Sequence, residues 1–278
     1  MFRRHCVIAE LLSASPAGSW MLFLDADVMV VNPSRLIEEF IDDEFDITLY
    51  DRFYNWEVAA GSYLVRHSEV ALAFLRRFAD YEGRLPLGAF HGTDNGALHM
   101  LLFDMIFPYG TPDARVCHRI WASSRDYDDL FRFEACVRLA IGAYERFPAQ
   151  RLRILRKGTG WMRDIWLTSS GWSKADFMLH AIKDRMRVER PVALRARAWR
   201  ALQNYFGRLS KFSFVNPLLD RLNSSTCSAG VQVWRRDAAM RLTEGDRFSR
   251  LSAFEADVRR EQLKVTAEIA RYVGYELG

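Results

Sequence analysis

The chain has 278 residues, half of them hydrophobic, and a formal net charge of +4. This length allows one large domain with a sizeable core, and the small net charge gives no support for a nucleic-acid partner. The four cysteines (Cys6, Cys117, Cys136 and Cys227) have no CxxC spacing, which argues against a zinc site and leaves their pairing open.

Strands and helices alternate along the first half of the chain. We predict a helix over residues 2–13 and a buried strand over WMLFL (20–24), after which VMVV follows the two aspartates. Asn32 and Pro33 predict the start of a helix with the apolar face Leu36, Ile37, Phe40 and Ile41. Further strands are predicted over residues 45–50 and 62–66. Ser68 then caps a helix with the apolar face Leu72, Leu75, Phe78 and Ala79.

The second half continues this pattern up to about residue 190. A helix is predicted to begin at Thr93-Asp94, and a late strand covers residues 176–180. The alternation predicts an α/β fold with a mostly parallel sheet flanked by helices. Residues 191–278 are predicted to form a helical C-terminal extension, including a helix over Leu251–Tyr272, beside a core of residues 1–190. The longest apolar stretch, around residues 20–31, is interrupted by two aspartates, so we expect no transmembrane segment.

An apolar strand followed by two acidic residues is the strongest functional signal. Asp25 and Asp27 stand two residues apart in FLDADV. Because side chains alternate in an extended chain, both carboxylates point to the same side. Two like charges this close are unfavourable without a counter-ion, and a divalent cation that prefers oxygen ligands removes that cost. We therefore predict a metal site, against the alternative of two turn aspartates, one of them a helix cap.

Three segments carry a resemblance to a known group of enzymes. FLDADVMVVNP resembles the D-x-D strand of glycosyltransferases with the GT-A fold, a Rossmann-like fold that binds nucleotide-diphosphate sugars. AAGSYLVRHSEVALAFLRRFA and HGTDNGALHMLL are similar to consecutive blocks of the galactosyl-, mannosyl- and xylosyltransferase group related to yeast galactomannan enzymes. Their order and spacing agree across residues 1–185. A nematode-rich set of uncharacterised glycosyltransferase sequences is more similar still.

The resemblance implies a retaining, metal-dependent glycosyltransferase. Such an enzyme moves a hexose or pentose from a UDP- or GDP-sugar donor to a glycan or protein-linked acceptor. The resemblance also implies that Asp25 and Asp27 hold Mn²⁺ or Mg²⁺ on the donor diphosphate. It implies a Golgi-lumenal location if a membrane anchor precedes these residues, whereas the chain as given is expected to be soluble.

A later segment, DFMLHAIKD, resembles the H-x-x-(G)-x-K region of retaining GT-A enzymes. In it His180 ends a strand and Lys183 follows three residues later. Imidazole is a competent ligand for Mn²⁺, and a nearby lysine neutralises a departing diphosphate. We expect His180 to complete the metal site and Lys183 to act in catalysis. The alternative for His180 is a strand-end histidine that only satisfies its own hydrogen bonds.

Five more residues are expected at the site. In the resembling block, Asp94 and Asn95 contact the sugar, with Asp94 near the reacting carbon or the acceptor hydroxyl; as residues alone, Asp94 is also a good helix cap. Gly61 is expected to let the backbone approach the donor, and Ser62 to hydrogen-bond it. Arg4 is expected to face the diphosphate, the alternative being a solvated basic helix end.

Two other functions remain open. GT-A enzymes have a strand and a helix before the D-x-D element that hold the base and ribose, and we expect these to be missing before Trp20. The chain is then either a fragment or an inactive relative that acts as a binding or scaffold protein. A D-x-D phosphatase of the haloacid dehalogenase type is disfavoured, because Met29 stands where that motif requires Thr or Val.

Overall fold

The computed structural model describes residues 1–53, 55–142, 145–169, 171–181 and 240–274. The helices in these ranges are α1 (Arg3–Ser13), α2 (Glu69–Asp80), α3 (Asp94–Ile106), α4 (Pro112–Ala122), α5 (Tyr127–Ala140) and α6 (Glu244–Gly274). The strands are β1 (Trp20–Leu24), β2 (Val28–Val30), β3 (Ile47–Tyr50), β4 (Ser62–Arg66), β5 (Arg146–Phe147), β6 (Leu152–Leu155), β7 (Met162–Asp164) and β8 (Met178–His180). Short 3₁₀ helices cover Ile37–Phe40, Tyr81–Arg84, Pro148–Gln150 and Ile165–Thr168. The predicted mixed α/β class is confirmed.

The larger sheet has the strand order β1-β4-β3-β6-β5. Its β3–β6 pairing is parallel, whereas β1–β4, β3–β4 and β5–β6 are antiparallel. The prediction of a mostly parallel sheet is therefore wrong for the described strands. The connections explain the difference: the described residues between β3 and β4 (51–53 and 55–61) contain no helix, while helices α2 to α5 lie between β4 and β6. Parallel pairing needs such a long crossover, and antiparallel pairing does not.

A second, three-stranded sheet has the order β2-β8-β7. Strand β8 pairs antiparallel with β2 and parallel with β7. Its last residue, His180, lies opposite Val28 at the start of β2 and opposite Asp164 at the end of β7. The small sheet therefore brings the ends of β7 and β8 to the point where the chain leaves β1 and enters β2.

Helices cover the larger sheet and share one apolar core with it. Ser68 accepts a hydrogen bond from the Ala71 amide and so caps α2, as predicted. The predicted apolar residues of α2 that are fully buried are Leu72, Leu75 and Phe78. Helix α1 packs on α2, where the His5 ring stacks on Phe78 with 3.7 Å between ring centroids. This contact holds α1 beside the end of β1.

The helix predicted to start at Asn32-Pro33 begins later and is shorter than expected. The backbone is extended at Leu36, and only the four residues Ile37–Phe40 form a 3₁₀ helix. The Asn32 side-chain oxygen accepts from the Ser34 amide two residues on, which is the local turn that competes with a helix start. Its amide nitrogen donates to the Lys174 carbonyl, so tertiary contact fixes this turn.

The C-terminal helix α6 includes the helix predicted over residues 251–272. It packs on the first part of the chain: Leu251 is buried with Phe131 of α5 and with Leu167. Arg247 on α6 also donates to the Asp176 carboxylate at 2.9 Å. The predicted boundary near residue 190 lies outside the described residues, as does Lys183.

A disulfide bond joins Cys117 on α4 to Cys136 on α5. Both cysteines are buried, and the bond links two helices that already pack on one another. The sequence left this pairing open. In the described part of the chain, no helix combines the length and the apolar run that crossing a membrane requires.

Candidate metal centre

Three predicted metal ligands lie together beyond the ends of β1 and β8. Asp25, Asp27 and His180 each offer one ligand atom, and these atoms lie within 4.8 Å of one another. All three side chains are half-buried. Two carboxylates and one imidazole are a ligand set suited to Mn²⁺, and also to Mg²⁺ when further oxygens come from water or substrate.

Backbone pairing positions the two aspartates. The Asp25 amide donates to the Gly61 carbonyl at 2.8 Å, which extends the β1–β4 pairing by one step. The chain then leaves the larger sheet, and Val28 pairs with His180 in the smaller one. Asp25 and Asp27 therefore occupy the crossing between the two sheets, where the end of β8 also arrives.

Gly61 makes room for the Asp25 carboxylate. A Cβ atom at this position would lie 2.3 Å from Asp25 Oδ2, far inside van der Waals contact. The sequence assigned Gly61 to close approach of the donor. In the structure, the group that approaches its backbone closely is the Asp25 side chain, so Gly61 shapes the candidate metal centre, and its approach to a donor stays a prediction.

Both ring nitrogens of His180 contact a carboxylate oxygen. Nδ1 lies 2.8 Å from Asp164 Oδ1, and Nε2 lies 3.3 Å from Asp27 Oδ1. Burial alone would lower the pKa of His180, but hydrogen bonds to Asp164 and Asp27 outweigh it and raise the pKa to about 9. In the metal-free protein the imidazolium therefore supplies positive charge between the two carboxylates.

Asp164 is a site residue that the sequence analysis missed. It is almost fully buried, and Arg52 NH2 lies 2.5 Å from its Oδ1. Burial would raise the pKa of Asp164, but Arg52 and His180 hold it at about 2. One signal was present: Asp164 follows the apolar stretch GWM with one intervening residue, so it is also an acid close behind an apolar run.

A cluster of charged and polar side chains adjoins the candidate metal centre, with Arg4 and His5 from α1 and Asp94 from α3. Arg4 NH1 lies 2.6 Å from Asp25 Oδ1, and its NH2 lies 2.6 Å from Asp94 Oδ2. His5 Nε2 lies 3.1 Å from the same Asp94 oxygen, and His5 Nδ1 lies 2.9 Å from the Tyr63 hydroxyl. Burial opposes ionisation of Asp94, yet His5 and Arg4 outweigh it and lower its pKa. Arg4 thus reaches the metal centre as an ion-pair partner of Asp25.

The family model for DUF273 matches residues 1–195. This range covers well over half of the chain and includes each of the site residues above. The chain belongs to the DUF273 family. That family is described as proteins of unknown function. No match was found among curated proteins or among solved structures.

The other predicted site residues of this DUF273 chain differ in their burial and in their contacts. Ser62 is fully buried and its hydroxyl accepts a hydrogen bond from the Trp161 indole at 2.9 Å; donor binding by Ser62 stays a prediction. Asp94 is 1% exposed and faces Arg4 and His5. Asn95 is half-buried in the first turn of α3. The Asp94 carboxylate is therefore placed to hold Arg4, and its contact with the sugar or the acceptor stays a prediction.

Binding of Mn²⁺ to this DUF273 chain is expected to strengthen as the pH rises. His180 must lose its Nε2 proton to become a ligand, and its pKa is raised to about 9. Below that value each bound ion displaces about one proton, so the affinity rises about tenfold per pH unit. Mn²⁺ titrations at several pH values between about 6 and about 8 measure this slope. An affinity that does not change over this interval contradicts His180 as a ligand.

Proposed function

We propose that this DUF273 chain is a metal-dependent glycosyltransferase with the GT-A fold. The observation that carries the proposal is the convergence of Asp25 and Asp27, from one strand end, with His180 from another. The D-x-D pattern and the late strand-end histidine were separated by more than 150 residues in the sequence. Their meeting at one point is what a nucleotide-diphosphate site built on a cation requires.

Asp25, Asp27 and His180 would hold the cation, Mn²⁺ or Mg²⁺. When bound, the ion supplies positive charge to a diphosphate that gains negative charge as the bond to the sugar breaks. The protein's own part is to fix its ligands: the Gly61 carbonyl fixes the Asp25 backbone, and Asp164 fixes His180. Arg4 adds a fixed cation beside Asp25, held in place by Asp94.

The donor proposed is a UDP- or GDP-sugar and the acceptor a glycan or a protein-linked sugar. Support for the donor class comes from the charge balance at the site. A divalent ion offsets the charges of Asp25 and Asp27, and Arg4 offsets that of Asp94, so a diphosphate no longer meets a net negative charge at the site. Lys183, three residues after His180, is proposed to contact the same diphosphate, and it lies outside the described residues.

The test is turnover of a panel of UDP- and GDP-sugars by the full chain, with and without Mn²⁺. We expect metal-dependent release of nucleotide from at least one donor, by hydrolysis or by transfer to an added glycan. Asp27→Asn should lose this activity while keeping its circular dichroism spectrum. If the chain binds Mn²⁺ and donors but releases no nucleotide from any of them, the enzyme assignment is wrong and a binding or scaffold role takes its place.

A further inference from the structure

The His180 ring is supported on the side away from Asp27. Its Nδ1 lies 2.8 Å from Asp164 Oδ1, whereas its Nε2 points to Asp27. The parallel pairing of β7 and β8 places Asp164 directly opposite His180. The contact therefore follows from the sheet register and is built into the fold.

Asp164 is itself held in place. Arg52 reaches it with two donors: NH2 lies 2.5 Å from Oδ1 and Nε lies 3.3 Å from Oδ2. Arg52 NH1 also lies 2.9 Å from Glu57 Oε1. Lys157 Nζ donates to the Arg52 carbonyl at 2.6 Å, which fixes the backbone of this residue as well. Glu57 thus holds the guanidinium and Lys157 the backbone of the arginine that contacts Asp164.

We propose that Asp164 and Arg52 are positioning residues that fix the tautomer and direction of the His180 ring for a bound cation. Asp164 accepts a hydrogen bond from Nδ1–H, which leaves the Nε2 lone pair directed towards Asp25 and Asp27. Arg52 holds the Asp164 carboxylate in this orientation through its two donated hydrogen bonds. Histidines that bind metals commonly donate their second ring N–H to a carboxylate, and loss of that partner weakens metal binding about 10–100-fold. The inference rests on the proposed role of His180 as a ligand.

The competing explanation is that Asp164 and Arg52 form an ion pair that only stabilises the fold. Asp176 and Arg163 form a comparable buried pair in the same chain. Asp176 is as buried as Asp164, each being 3% exposed. Arg163 also holds Asp176 through two donors, at 2.6 and 2.7 Å. None of the hydrogen bonds of Asp176 in the described residues goes to a metal-ligand candidate. Asp176→Asn therefore removes a comparable buried charge without touching His180.

The experiment compares Mn²⁺ affinity and histidine tautomers in Asp164→Asn and Asp176→Asn. Both variants should lose thermal stability. Once the affinities are corrected for the proton that His180 releases on binding, Asp164→Asn should bind Mn²⁺ about tenfold or more weakly, and Asp176→Asn should stay within about threefold of the parent. Arg52→Gln, one contact further away, should give a smaller loss and replaces Asp164→Asn if that variant does not fold.

Spectra of protein labelled with ¹⁵N-histidine give a second readout. The chain has six histidines, which keeps such spectra simple. With Mg²⁺ bound, the parent should show His180 with its proton on Nδ1, and Asp164→Asn should show a mixture of tautomers. Unchanged affinity and an unchanged tautomer in Asp164→Asn overturn the positioning role alone. A parent protein that binds no divalent ion overturns the proposed metal site as well, so the two failures are distinguishable.

Discussion

Replacing Asp27 with asparagine is expected to lower Mn²⁺ affinity by about 100-fold or more. Replacing a residue that only supports a metal ligand already lowers metal affinity about 10–100-fold, and this change removes a charged ligand. Asparagine has nearly the same shape and keeps one oxygen, so the fold should survive. The measurement is direct titration of Mn²⁺ followed by electron paramagnetic resonance, which reports free ion. Activity towards any donor found in the panel should fall with the affinity.

The matched control for Asp27→Asn is Asp43→Asn. Asp43 lies on the surface, with 82% of its side chain exposed, and its replacement changes the net charge by the same amount. It should leave the Mn²⁺ affinity within about twofold, because exposed charges outside the site act weakly through solvent. Equal losses in both variants would mean that Mn²⁺ responds to general surface charge. Equal retention would remove Asp27 from the ligand set.

The parts of this fold that follow from local pattern were predictable. The apolar run WMLFL is β1, and the Ser68 hydroxyl caps α2 as its place before an amphipathic segment indicated. The strand-end positions of the three candidate ligands were also predictable one by one, since Asp25 and Asp27 follow β1 and His180 ends β8. Each of these inferences needs only neighbouring residues and the periodicity of a strand or helix.

The parts that depend on which strands become neighbours were not predictable. Asp164 reaches His180 because β7 pairs in parallel with β8 in one register, and no local signal states that register. The parallel sheet was expected from alternating strands and helices, but the described residues between β3 and β4 contain no helix. Arg4 and Asp94 illustrate the same limit: they are 90 positions apart and meet at 2.6 Å because α1 and α3 converge on the end of β1.

Substitution of Gly61 by alanine is expected to disable the metal centre without altering any ligand. The added Cβ would lie 2.3 Å from Oδ2 of Asp25, closer than real Cβ contacts, and 3.0 Å from its Cγ, which is also tight. Asp25 has a short side chain whose other oxygen is paired with Arg4, so the carboxylate must rotate away from the position it shares with Asp27 and His180. We expect Mn²⁺ affinity to fall about tenfold or more, comparable to the loss of a ligand's supporting contact.

The fold itself should tolerate Gly61→Ala, and this separates the effect on the site from unfolding. Gly61 is not among the glycines with positive φ, so alanine adopts its backbone conformation without strain. The displaced atoms belong to the end of one side chain, so the melting temperature should fall by only a few degrees, about 1 kcal/mol or less. Gly83→Ala is the control, because a Cβ there meets nothing within 4 Å. If Gly61→Ala binds Mn²⁺ as tightly as Gly83→Ala does, Asp25 does not hold the ion from the position seen here, since no cation could keep that carboxylate in place against the new methyl group.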